Sequence, residues 1–177
     1  MMRALAQRLR TLRRREDGTA TLEFALMVPM VILIFLASIE LGIYLTRQVM
    51  LERGTDVAVR AVRVGALNPV THDSLRDMIC ANTPLLPDCR NQIRIEMRPT
   101  DPRSFQRLLS NVDCIDREDD NKPVRNFTPG QQNQLMLVRV CALYDPLFPS
   151  TGLAARLPRQ SGGAYALVTT TAYVVEP

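Results

Sequence analysis

The chain reads as an α+β protein, a single N-terminal transmembrane helix extended into a long helical spine that packs on a small, mostly antiparallel β-sheet. Three observations predict this. An arginine-rich leader runs straight into an uncharged apolar stretch, a helical pattern carries on where that stretch stops, and two segments rich in β-branched and aromatic residues follow later in the chain. The expected division is a basic leader over 1–18, a membrane helix over 19–46 and an α+β domain over 47–177.

The leader comes first. The formal net charge of the 177 residues is +4. All of that excess sits in residues 1–18, where Arg3, Arg8, Arg10, Arg13, Arg14 and Arg15 face only Glu16 and Asp17; basic and acidic residues balance over the rest. A nucleic-acid-binding domain spreads its basic residues over a folded face, so no nucleic-acid partner is expected. A membrane is.

Residues 24–39, FALMVPMVILIFLASI, carry no charge, with Glu23 before them and Glu40 after. That run spans ~24 Å as a helix, short of the ~30 Å hydrocarbon core, whereas Phe24–Thr46 with Glu40 included spans ~34 Å. Val28–Leu36 is apolar all the way round, as a lipid-facing helix is and a one-sided core helix is not. Arginines beside a spanning segment stay in the cytoplasm, which places residues 47–177 on the far side. The run is too long for a conventional signal peptide, and Ala37-Ser38-Ile39 before Glu40 makes a poor cleavage site.

A different processing signal precedes the helix. Arg13-Arg14-Arg15-Glu16-Asp17-Gly18 is followed by Thr19-Ala20-Thr21-Leu22-Glu23-Phe24. A glycine that ends a basic leader, a glutamate five residues on, an aromatic and then an apolar helix resemble the processing site of type IV prepilins. Glycine suits a scissile position because it lacks a Cβ and enters a narrow cleft in extended form. The resemblance narrows with Ala20-Thr21-Leu22-Glu23-Phe24-Ala25-Leu26-Met27-Val28-Pro29 and Ile39-Glu40-Leu41-Gly42, which are similar to the TadE-like family of the Tad (Flp, type IVc) pilus system. Leu41 stands where that family usually has Phe. The likeness covers about residues 17–65.

The resemblance implies a pilin-like fold and a pseudopilin or minor-pilin role in pilus biogenesis. A prepilin peptidase is implied to cut between Gly18 and Thr19, after which Glu23 meets the new amine of a neighbouring subunit. Implied partners are that peptidase, other pilin-like subunits and the inner-membrane assembly platform. Glu23 and Phe24 are then assembly residues, and Phe24, Pro29, Glu40 and Gly42 mark the membrane helix. The implied location is the bacterial inner membrane, tail inside and domain in the periplasm, with entry into a pilus left open. The alternative is an uncleaved single-pass anchor presenting a periplasmic adaptor or binding domain.

Beyond the membrane, Arg47–Val64 keeps a helical pattern with Met50, Gly54, Val57, Ala61 and Val64 on one seam, stopped by Gly65 and Asn68-Pro69. A second helix is expected over Asp73–Ala81 with Thr71 as N-cap; Ser74 stands three residues on, and no Glu is there to close a capping box. Ile93, Ile95 and Met97 alternate with charged residues, so Gln92–Arg98 reads as a half-buried strand. Residues 100–134 read as polar and irregular, with a turn of helix at Phe105–Leu109. Strands follow at Leu135–Tyr144 and Ala164–Glu176.

Cys80, Cys89, Cys114 and Cys141 all lie past the membrane segment, and an even number outside the cytoplasm points to disulfides. Three connectivities exist; Cys80–Cys89 with Cys114–Cys141 is preferred, worth roughly 2.7 and roughly 3.6 kcal/mol in chain entropy. Zinc is disfavoured, because the Cys-x2–4-Cys spacing is missing. No catalytic pattern appears. The one histidine, His72, reads as a surface or capping residue, and neither a nucleophile elbow nor a phosphate loop is present. Asp116–Asn121 lacks the alternating ligands of a calcium loop, and the Asn126-Phe127-Thr128 sequon is taken as chance. The expectation is a non-enzyme without cofactor that acts through protein contacts.

Overall fold

The computed structural model describes residues 19–101, 103, 112–118, 127–149 and 157–176. The leader with Gly18, the Phe105–Leu109 turn and Asp119–Asn121 lie outside the described residues.

Helix α1 runs unbroken over Thr19–Arg63, 45 residues with Pro29 inside it. Its end is a Schellman closure: Gly65 sits at φ +71°, its N–H donates to Val62 O at 3.1 Å, and Ala66 N–H donates to Ala61 O at 2.8 Å. Helix α2, His72–Ala81, starts in a capping box that the sequence reading did not expect. Ser74 does the work a glutamate usually does, its hydroxyl accepting from Thr71 N at 3.0 Å while Ser74 N–H donates to Thr71 Oγ1 at 3.1 Å. A single turn, α3 (Cys89–Gln92), leads into β1 (Ile93–Pro99). Strands β2 (Leu135–Tyr144) and β3 (Tyr165–Val174) complete an antiparallel sheet in the order β1-β2-β3.

The register places Glu96 opposite Arg139 and Cys141 opposite Val168. Alternation then gives the sheet two faces. Ile93, Ile95, Met97, Val138, Val140 and Leu167 join Leu51, Ala58, Val59 and Val62 of α1 and Leu75 and Ile79 of α2 in the main core. Cys114, Cys141, Leu143 and Ala164 form a smaller core on the opposite face. The free edge of β1 is covered in turn, since Thr128 N–H donates to Met97 O at 2.9 Å.

Two sequence expectations shift. The seam of α1 that meets the domain is Leu51, Gly54, Thr55, Ala58, Val59 and Val62, while Val57 and Val64 are exposed. The domain grips a wider stripe than one 4-3 row, centred to one side of it. Secondly, Arg94 and Glu96 on β1 were expected to face water, yet they are only 7% and 8% exposed. Segment 112–118 covers that face: Arg94 pairs with Asp113 at 3.5 Å, and Glu96 accepts from Arg139 across the strands. Paired and bonded, the charges are held where single ones would be expelled.

Gly54 is the point of closest approach between the helices. A Cβ there would stand 2.3 Å from Thr83 Oγ1 and 3.0 Å from Ile79 O. Thr83 is itself buried, its hydroxyl donating to Ile79 O at 2.8 Å, so it has no room to yield. Gly54→Ala is therefore expected to destabilise the protein by roughly 1–3 kcal/mol despite alanine's better helix propensity. Denaturant unfolding in detergent checks this.

Candidate functional site

Helix α1 has two halves made for different surroundings. Over Ala20–Ile39 no residue is buried, and the exposed side chains, among them Leu22, Leu26, Met30, Ile34 and Phe35, go all the way round. These 20 residues rise ~30 Å, the thickness of the hydrocarbon core. α1 is the one helix among the described residues long and apolar enough to cross a membrane. Pro29 lies inside this stretch; membrane helices tolerate proline where neighbouring helices, side chains or water satisfy the backbone group it frees. From Glu40 onward the helix has the domain at its side.

Thr19 is the first helical residue, immediately after the expected cleavage point. Glu23 lies one turn further on, ~6 Å along the axis, and is exposed with no ion-pair partner among the described residues. Phe24 beside it is exposed as well. Gly42 faces open space, with nothing within 4 Å of where a Cβ would stand. No packing inside the chain requires a glycine there.

Glu40 is the exception on this stretch, at 3% exposure. Its carboxylate accepts the backbone N–H of Leu147 with both oxygens at 3.2 Å, and Oε2 accepts that of Phe148 at 3.2 Å. Two successive amides make a small anion nest. The loop that presents them, Asp145-Pro146-Leu147-Phe148-Pro149, leaves β2 at the end nearest the bare helix, and its prolines restrict the backbone on both sides of the nest. Tyr144 and Tyr165 stand behind the carboxylate with rings 5.5 Å apart, edge to face. Burial first, then the charge of Glu40, pushes both phenols above their ordinary pKa, so they stay neutral. Arg47 completes the junction, with Nε donating to Leu85 O at 3.2 Å and its guanidinium 4.7 Å over the Tyr144 ring.

The cysteines pair as preferred. Cys80–Cys89 joins the end of α2 to α3, and Cys114–Cys141 ties segment 112–118 to β2. Arg117 adds a polar tie from that segment, donating to Gln92 Oε1 at 2.8 and 3.0 Å and to Asp145 Oδ1 at 2.6 Å.

His72 has a structural part. Ile95 N–H donates to its Nε2 at 3.3 Å, and Phe127 meets the ring edge-on at 5.7 Å. Burial lowers its pKa from the ordinary 6.5, Asp73 raises it and Arg76 lowers it. The ring is thus neutral, with Nε2 as acceptor and Nδ1 carrying the proton toward Asp73.

The sequence reading placed Glu23, Phe24 and Pro29 correctly on one helix but saw in Glu40 only a tolerated charge near a helix end. Its partner amides lie 107 and 108 residues away and have no side-chain signature. The one legible signal was a carboxylate interrupting an apolar run, which demands a partner somewhere.

The arrangement is that of one helix able to cross a membrane, among the described residues, continuous with the helix on which the domain packs. Residues 18–60 match the family described as TadE-like protein, the segment that includes the bare half of α1 and most of the packed half. Neither the curated proteins nor the solved structures give a match.

Two outcomes follow from this geometry. Glu40→Ala removes a charged acceptor from two part-buried amides and is expected to cost about 1.5–3 kcal/mol; hydrogen exchange at the amides of Leu147 and Phe148 should rise, with Glu40→Gln intermediate. For His72, the unfolded chain binds more protons between the lowered folded pKa and 6.5. Stability is therefore full above pH 6.5 and falls as the pH drops through that window. Urea midpoints of wild type and His72→Gln, compared from about pH 7.5 down to about pH 5, should show a steeper loss in the wild type.

Proposed function

We propose that the protein is a pilin-like component, a pseudopilin or minor pilin, of Tad pilus biogenesis. It is inserted in the bacterial inner membrane with residues 1–18 in the cytoplasm and the domain in the periplasm. A prepilin peptidase removes the leader after Gly18. The mature chain then acts by contact with other pilin-like subunits and with the inner-membrane assembly platform, without catalysis of its own.

The observation that carries this reading is Glu23, a carboxylate one turn inside a helix that is otherwise uncharged and free of the chain's own domain as far as Ile39. A charge at the edge of a bilayer seeks a cation. Its own chain offers none among the described residues, whereas the N-terminal amine created at Thr19 of a second subunit supplies one. The family match over 18–60 supports the same reading. The processing pair Gly18 and Thr19, the assembly residues Glu23 and Phe24 and the membrane helix over 19–46, with Pro29, Glu40 and Gly42, belong to it.

The test is Glu23→Ala in place of the chromosomal copy. Protein level and membrane fraction are expected to stay as in the wild type, while surface fibres seen by electron microscopy are lost. Fibres in normal number would favour the uncleaved anchor with an adaptor domain.

A further inference from the structure

We infer that the domain does not stand clear of the bilayer but rests on it, through two leucine-bearing loops, one held at the level of Glu40 and the other at that of Arg47. The partner is the surface of the same membrane that α1 crosses, and the inference rests on that span. The bare half of α1 ends at Ile39, so the hydrocarbon boundary lies within about one turn of Glu40. Glu40 holds the amides of Leu147 and Phe148, which fixes loop 145–149 at that boundary. Arg47, ~10 Å further along the axis, holds the carbonyl of Leu85 and so fixes loop 83–87 at the outer side of the headgroup layer.

Both loops carry an exposed leucine, and loop 145–149 an exposed Asp145 as well. Leu147 is 51% exposed and Leu85 is 47% exposed, and each is flanked by prolines that remove backbone donors otherwise needing water. Beside Leu147 lies an open groove of about 610 Å³ whose lining pairs the cations Arg47 and Arg117 with Asp88 and Asp145. A basic side chain at the phosphates with exposed leucine tips on the membrane side is the arrangement of an interfacial contact. The far end of the domain serves as a contrast: Val174 is comparably exposed but lies on the strand end beside Arg63, where Glu176 N–H meets Arg63 O, ~34 Å along α1 from Glu40.

The chain has no tryptophan, so each single substitution is a clean reporter. Full-length Leu147→Trp, Leu85→Trp, Val174→Trp and Phe35→Trp are reconstituted in vesicles of phosphatidylethanolamine and phosphatidylglycerol, with and without lipid brominated on its acyl chains. The expected result is strong quenching of F35W, clear quenching and a blue-shifted emission for L147W and L85W, and neither for V174W. L147W and L85W no more quenched than V174W, with F35W quenched, would overturn the membrane contact and leave the span intact. Blue-shifted loop reporters that brominated lipid does not quench would place a protein neighbour there instead and overturn it too. An unquenched F35W would remove the span, and the inference with it.

Discussion

One rod has to satisfy two solvents, and the hydrogen bonds from Glu40 to the Leu147 and Phe148 amides mark the place where it changes from one to the other. A helix closes its own backbone bonds, so α1 passes from an apolar setting into a packed domain without a hinge. Its side chains then decide the surroundings turn by turn. From Phe24 to Ile39 they are uncharged on every side; after Glu40, Leu51, Ala58, Val59 and Val62 face the sheet while Glu52, Arg53, Asp56 and Arg60 face away. A carboxylate at that point is costly unless bonded. Because its partners come from the loop after β2, satisfying it also locks the domain to the helix.

The rest of the domain is built to hold that lock rigid. The sheet has three strands and would leave one face open. Segment 112–118 covers it, held by the Cys114–Cys141 disulfide, by the Arg94–Asp113 pair and by Arg117 reaching both Gln92 and Asp145. Asp145 is the residue before Pro146, so the cover of the outer face is tied to the loop that binds Glu40. On the inner face, Gly54 lets α2 approach α1 at backbone distance. Covalent, ionic and close-packed contacts converge on one aim, which is to make the orientation of the domain follow that of the membrane helix.

Local features were legible in the sequence and distant pairings were not. The long helix, its stop at Gly65, the strand pattern of Ile93-Ile95-Met97 and the two later strands follow from periodicity and turn chemistry within a few residues. The disulfides were legible because loop length and compartment limit the choices. The burial of Arg94 and Glu96 was not, since the alternation that marks a half-buried strand says nothing about a cover supplied by another segment. The interface seam was misread by a residue because a single helical row cannot tell how wide a stripe the domain takes. Glu40 carried the hardest lesson: a charge in an apolar run announces a need, but a backbone amide that meets the need leaves no mark in the sequence.

The family match spans 18–60 and ends before the sheet, so it speaks for the rod and its membrane end. That is also where the proposed function resides, in the junction of Gly18 and Thr19 and the carboxylate of Glu23. The most direct measurement is therefore the intact mass and N-terminal sequence of the protein extracted from membranes, with and without the prepilin peptidase of the same cell. The account predicts a mature chain beginning at Thr19 only when the peptidase is present. A leader retained in full beside an active peptidase would contradict it.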